Sequence, residues 1–582
     1  MFKLYILSFF YLFLNHIPPF VWALGHVVSD IFQFWMRRLM NYLRPRSRNL
    51  YHGAISDLER CDNFADWYQK AAIVDEITGA DLWRRNFYSQ RYDVNSVLEQ
   101  YAVLDEALDE NDAHTIVHRF STTGPSMLRN FAGIVDKRLF TKSLIGTKLL
   151  IEQYLDKVLE CLQFLCQTPG VARTSFFQRC KLSLGTTAFI LQGGSLFGLF
   201  HLGVIRGLLE QKLLPNIISG SSMGACIGSL CSVLTNEELS VLLSGDNLLN
   251  AIKSDLELLK QCGYGNIDQD LNLGSLLQNV VHRGYSKDVF LFINFVNKVI
   301  IKDLTFEEAF QRTGKILNII VHPTDRNRCP SLLNYVTTPN VLIACAIDCS
   351  LGSEVVSSGT KLMCKNLKNE IVDYIPDTGG SRLVFLTPQN ASETGLIESP
   401  YTRLTELFNV NNFIVSLARP YLAPLVMNDL KHEIKTSKYY YYKHYPTTDM
   451  SNFTPLQLSN MNEVEPLGFK FRYHLERKLK HIVTMEFRHR VEVMDNLGIL
   501  SHWIKRLAID EKTPRSATEI TIVPNLKSLS LSRVIEGQLD NIPYWIKCGE
   551  QSCWPVLALI KTRCAVEFGL NEIIKSKKTH DA

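Results

Sequence analysis

Between residues 187 and 234 the chain twice repeats one pattern: a short β-prone run, a glycine turn, then an apolar stretch at helical spacing. Thr187–Leu191 closes on Gly193-Gly194, and a helical pattern runs from near Leu196 to about Leu214, where Pro215 breaks it. Asn216–Ser219 (NIIS) then leads into Gly220-Ser221-Ser222-Met223-Gly224 and a helical run to Leu234. Two strands joined through a helix lie parallel, because the connection must cross back over the sheet. The order therefore predicts the opening of a parallel α/β sheet. Ile316–Val321, Val341–Ile347, Leu383–Leu386 and Asn412–Leu417 read as further strands. Ahead of the sheet, 49–185 read mostly as helices, including Ala102–Val117 and Leu149–Leu165, and Gln167-Thr168-Pro169-Gly170 ends the last of them.

The second turn carries chemistry. A serine between two glycines, at a strand end and before a helix, occupies a strained turn that fits only when its neighbours at minus two and plus two are small. The helix that follows points its positive end at the Ser222 oxygen. Gly193-Gly194-Ser195-Leu196-Phe197-Gly198 also closes a strand and opens a helix, and backbone N–H groups of such a loop can stabilise an oxyanion. A phosphate cradle competes for the same loop, but Ser195 stands at the middle glycine position and no phosphate-binding motif is complete. Acyl chemistry is the better reading. His201, by helical spacing from the loop, reads as a packed core histidine ahead of a triad member. The H-x4-D spacings at His52…Asp57 and His444…Asp449 are of a kind that 15 histidines and 58 acids produce by chance.

Charge is distributed unevenly. The whole chain carries only +4, which does not resemble a nucleic-acid binder. Residues 1–48, however, hold six basic residues against one acid, and 426–582 hold 23 against 18. Leu4–Leu14 and Phe20–Met36 are apolar arms around Pro18-Pro19, each shorter than the roughly 20 residues a spanning helix needs. Followed by Arg37, Arg38, Arg44, Arg46 and Arg48, they fit an interfacial anchor with a basic flank; a buried helix pair and a signal peptide are the alternatives. In the C-terminal region Lys470–Arg490 holds seven basic and two acidic residues, and Lys438–Tyr445 (KYYYYKHY) is aromatic. Either fits a membrane surface or an ordinary solvated element. The 14 cysteines show no paired metal-site spacing and read as reduced, buried thiols. No metal and no cofactor is expected.

Gly193-Gly194-Ser195-Leu196-Phe197-Gly198-Leu199-Phe200-His201-Leu202-Gly203-Val204, with Ser219-Gly220-Ser221-Ser222-Met223-Gly224, resembles the patatin-like phospholipase family. Val74–Phe87, Ser121–Asp136 and Pro400–Pro420 resemble its fungal branch of lipid-droplet triacylglycerol lipases, so the likeness covers nearly the whole chain. The resemblance implies a patatin-like parallel-sheet hydrolase domain over 186–425, after an anchor over 1–48 and a helical region over 49–185, and before a basic, mixed C-terminal region over 426–582. It further implies a serine–aspartate dyad without histidine, with Ser222 as nucleophile and Gly193 and Gly194 as oxyanion hole. The family's aspartate sits in an Asp-Gly pair, and this chain contains none. Asp377, Glu393 and Glu398 are the candidate bases. The expected partners are triacylglycerol and other acylglycerols, and a lipid monolayer or membrane surface at a lipid droplet or the endoplasmic reticulum. Lysophospholipid acyl transfer, or lipid binding on a catalytically weak scaffold, are the alternatives.

Overall fold

The computed structural model describes residues 49–89, 91–122, 131–168, 173–192, 197–261, 287–325, 329–352, 361–374, 384–386, 400–419, 518–524 and 541–581, with a few isolated positions besides. The chain divides into a smaller unit, 1–60 with 465–509, and a larger one, 61–464 with 510–582. Of the smaller unit the helix Asn49–Glu59 is described. The proposed anchor, the Lys438–Tyr445 run and most of Lys470–Arg490 lie outside the described residues.

The larger unit is built on a six-stranded sheet. Its strands are β1 (Thr186–Gln192), β2 (Ile217–Gly220), β3 (Ile316–Ile320), β4 (Leu332–Leu333), β7 (Val410–Leu417) and β8 (Thr518–Ile522), in the order β4-β3-β2-β1-β7-β8. A separate hairpin joins β5 (Met363–Lys365) to β6 (Ile371–Asp373). All pairs of the main sheet are parallel except β3–β4 at one edge. Central β1 is covered on both faces from Thr187 to Leu191, which explains its unbroken apolar run: alternation appears only when one face meets water. One apolar core beneath the sheet joins Ile190, Tyr401, Leu404, Phe413 and Val415.

Helices that pack on the sheet or on one another are α1 (Leu149–Gln167), α2 (Phe200–Glu210), α3 (Met223–Val233), α4 (Ile343–Leu351), α5 (Ile542–Cys553) and α6 (Leu557–Asp581). The early strands and α3 lie within a residue or two of expectation. The stretch Val341–Ile347, read as a strand, is instead largely α4. A short apolar run that is buried all round has no face to reveal its period, so strand and helix look alike. Of the expected strand Leu383–Leu386, residues 384–386 are described and form a single bridge, Phe385 opposite Pro323. Ala102–Val117 spans two helices, Val94–Asp109 and Ala113–Thr122, because the Asp112 carboxylate accepts the His114 and Thr115 N–H groups and starts a new helix. Residues 518–524 and 541–581, beyond 425, belong to the larger unit. They supply β8, paired to β7, and the helices α5 and α6 that pack on α2 and α1.

The α2–α5 crossing is a backbone contact. A Cβ at Gly549 would stand 2.7 Å from Gly203 Cα and overlap Phe200 O, and one at Gly203 would overlap Ile546 O. Beside it Trp545 is fully buried and packs edge-on against Phe197 at 5.8 Å. Arg206 Nε reaches the buried Glu550 carboxylate at 2.9 Å.

The helical region is held by buried polar groups inside the family-like segment Val74–Phe87. Asp75, 1% exposed, accepts the Ser143 hydroxyl at 2.6 Å and the Leu144 and Ile145 N–H groups at 3.0 and 3.2 Å. Lys148, fully buried, donates to Trp83 O and Asn86 O, each at 2.7 Å, and lies 4.2 Å from the Trp83 ring centre. Burial pushes its ammonium down to about 6. These residues tie α1 to the segment before it.

Gly549→Ala is expected to destabilise the chain by about 1–3 kcal/mol, since neither helix can retreat without unpacking Trp545. Equilibrium urea unfolding measures it. An unchanged midpoint would show that the crossing is looser than a backbone contact.

Candidate active site

β2 ends at Gly220, α3 begins at Met223, and Ser221 and Ser222 make the turn between them. Ser222 adopts φ 54°, ψ −118°, a conformation that costs a side-chain-bearing residue about 1–3 kcal/mol and persists only where the surroundings impose it. The constraint is steric. A Cβ at Gly224 would overlap Leu191 O, and one at Gly220 would overlap Gly224 O. The first turn of α3 thus lies directly on the end of β1, and the serine between the glycines is forced outward. Every residue of α3 is buried, whereas Ser222 keeps partial exposure.

Two groups of α4 brace the turn. The Ser222 N–H donates to Ser350 Oγ at 2.9 Å, and the Ser350 hydroxyl donates to Ile320 O at 2.6 Å. The Ser222 hydroxyl donates to Ser350 O at 3.2 Å. Ser350 therefore links β3 to the serine turn, a role that reading α4 as a strand concealed. The same helix carries Asp348, partly buried, whose Oδ1 accepts the Asn297 amide at 3.1 Å. Burial pushes this carboxyl up to about 6, with the Asn297 bond working the other way. Nothing in the sequence marked Asp348 beyond one acid in an apolar run.

His201 is fully buried on α2, with Nδ1 2.8 Å from Ser416 Oγ of β7. It joins helix to sheet, as a packed core histidine does. Gly193 and Gly194, and all three candidate bases Asp377, Glu393 and Glu398, lie outside the described residues. Cysteines among the described residues are free thiols and most are buried; burial pushes the thiol of Cys226, one turn beyond Ser222, well up. Among the described residues no group of three His, Cys, Asp or Glu side chains is placed to hold a metal, and no helix is long and apolar enough to cross a membrane.

A strained serine at the end of a parallel strand, with a buried helix directed at it, defines a serine hydrolase of the α/β class. Comparison with known proteins gives that class a family. The family described as patatin-like phospholipase matches residues 189–353, and a domain of unknown function, DUF3336, matches 46–182. Triacylglycerol lipase 3 of Saccharomyces cerevisiae is 61% identical over 99% of this chain and 97% of its own length. Triacylglycerol lipase ptl1 of Schizosaccharomyces pombe is 30% identical over 96% and 90%. Triacylglycerol lipase SDP1L of Arabidopsis thaliana is 26% identical over 92% of this chain and 59% of its own length. The chain belongs to the patatin-like phospholipase family and is a hydrolase.

This geometry carries two expected outcomes. Ser222→Gly relieves the positive φ and is expected to raise stability by about 1 kcal/mol while abolishing ester hydrolysis; a destabilised Ser222→Gly chain would mean the turn is unstrained. Asp348→Asn keeps the Asn297 contact without the charge. The folded carboxyl titrates near 6 against the usual 3.8, so folding favours its proton, and wild-type stability falls as pH rises through that window. The variant is expected to melt higher than wild type above about pH 6, with the two curves converging below about pH 4. A pH-independent difference would contradict the buried charge.

Proposed function

We propose that this hydrolase cleaves triacylglycerol and other acylglycerols through an acyl-enzyme on Ser222. The observation that carries the reading is the strained turn at Ser222 in a chain whose full-length relatives are named triacylglycerol lipases. Ser222 Oγ attacks the ester carbonyl and gives its proton to a carboxylate. The oxyanion is stabilised by N–H groups of the Gly193-Gly194 loop and by the positive end of α3. The protonated carboxyl returns its proton to the leaving glyceride oxygen, and water then releases the fatty acid by the same steps in reverse. Asp377, Glu393 and Glu398 are the carboxylates proposed for this base.

The substrate forms a separate phase, so the enzyme must work at its surface. The arms Leu4–Leu14 and Phe20–Met36, with the arginines after them, supply an interfacial anchor for a lipid-droplet monolayer or the cytosolic face of the endoplasmic reticulum. A droplet bounded by a monolayer suits short arms that enter and return.

Fatty-acid release from emulsified triacylglycerol tests the reading. Ser222→Ala is expected to lower it by at least about a thousandfold, and alanine at one of Asp377, Glu393 or Glu398 by a similar order. Equal release by Ser222→Ala and wild type would sink the acyl-enzyme. Acyl transfer to lysophospholipid surviving in Ser222→Ala would reveal a second site. In the same preparation, deleting residues 1–36 should abolish co-flotation with droplets; unchanged flotation would assign attachment to another part of the chain.

A further inference from the structure

Ser350 holds both the main chain and the side chain of Ser222. Its hydroxyl oxygen accepts the Ser222 N–H at 2.9 Å, and its carbonyl oxygen accepts the Ser222 hydroxyl at 3.2 Å. The same Ser350 hydroxyl donates at 2.6 Å to the carbonyl of Ile320, the last residue of β3. The Ser350 side chain is shielded from water (1% exposed), and its hydroxyl is engaged as donor and acceptor at once.

The helix behind Ser350 is itself fixed. α4 packs on α3, on β3 and on the π-helical turn Val296–Ile301. Asn297 of that turn donates to Asp348 at 3.1 Å. Asp348 and Ser350 are two residues apart on a helix, so they face nearly opposite ways. One face of α4 is therefore tied to the π-helical turn, and the other holds Ser222.

The two bonds to Ser222 act differently. Close packing at Gly220 and Gly224 fixes where the turn lies, but packing has no direction. The bond from the Ser222 N–H is directional, and it sets the plane of the peptide that leads into the strained φ. The Ser222 hydroxyl meets one of the last four carbonyls of α4, which no later N–H of that helix can reach. Those carbonyls carry the negative end of the α4 dipole, while α3 turns its positive end to the serine. The hydroxyl proton is drawn toward α4 and the oxygen toward α3, so the side chain is aligned before an ester arrives. An oxygen already held in place reacts faster than one that must find its place.

We infer that Ser350 is a positioning residue for ester hydrolysis, acting through Ser222 by holding its N–H and its hydroxyl together. This rests on the reading of Ser222 as nucleophile. Removing the Ser350 hydroxyl keeps the carbonyl contact but frees the Ser222 N–H, and the turn loses the bond that orients it. The loss falls on the chemical step, because a side chain buried behind the turn does not touch the substrate.

Fatty-acid release from emulsified triacylglycerol, followed against substrate concentration, tests this in wild type, Ser222→Ala, Ser350→Ala, Ser350→Cys and Ser350→Thr. Ser350→Ala is expected to lower kcat about tenfold or more while changing KM less than about twofold. Ser350→Thr keeps the hydroxyl and is expected to regain most of the rate; Ser350→Cys, whose sulfur accepts weakly, is expected to stay slow. Labelling of Ser222 by a fluorophosphonate is expected to slow in the same order. Both rates are taken per folded molecule, so that lost stability alone moves neither. Wild-type kcat in Ser350→Ala, with Ser222→Ala inactive, overturns the inference alone. Where Ser350→Ala does not fold, equal kcat in Ser350→Cys and Ser350→Thr does the same. Wild-type release by Ser222→Ala overturns the reading of Ser222 and the role of Ser350 with it.

Discussion

The arrangement depends first on backbone lying against backbone where α3 starts. Gly224 sits on Leu191 O and Gly220 on Gly224 O, with no room for a methyl group at either place. That approach fixes the height of α3 above β1, and the height forces Ser222 into positive φ. The serine is exposed because its neighbours are packed too closely to admit anything larger. Ser350 completes the device from the other side, holding the Ser222 N–H while its own hydroxyl is anchored on β3. Strain at one residue thus rests on three strands and two helices, which is how a sparsely populated conformation survives folding.

A second backbone contact extends the same logic across the molecule. Gly203 and Gly549 let α2 and α5 touch, so the helix after the first glycine loop is pinned by a segment almost 350 residues later. Further on, α6 reaches both α1 and the start of β1, where Glu567 takes the Thr187 N–H and hydroxyl. The helical region and the sheet are therefore parts of one packed body with α6 between them. A boundary near 425 does not anticipate this, since the contacts are made by single residues, Gly549, Trp545 and Glu567, far along the chain from their partners.

Legibility followed the range of the physics. β1, β2 and α3 could be read because glycine turns and apolar runs act over a few residues. Ser222 could be read because its requirement for glycine at two nearby positions is itself local. α4 was misread because complete burial erases periodicity, and Ser350 and Asp348 were lost with it. β8 was missed for a different reason: Thr518–Ile522 is a short run that pairs with β7, more than 100 residues earlier. Such pairing leaves no mark in the neighbouring sequence.

Buried ionisable groups separate scaffold from chemistry more sharply than burial alone. Asp75 receives a hydroxyl and two N–H groups, and Lys148 gives to two carbonyls at 2.7 Å over an aromatic face; each is satisfied by groups of its own region and has nothing left to offer. Asp348 has one side-chain donor, on the helix that steadies Ser222. Arg563 has two acceptors for five donors, and it lines a cavity. A fully bonded buried charge fixes a fold, whereas an under-bonded one raises the energy of the folded state unless something else binds to it. By that measure, Asp75 and Lys148 are structural joints. Asp348 stands two residues before the Ser350 that braces the candidate nucleophile, and Arg563 at the start of β1 and β7, so the two sparsely bonded groups lie at opposite ends of the strands.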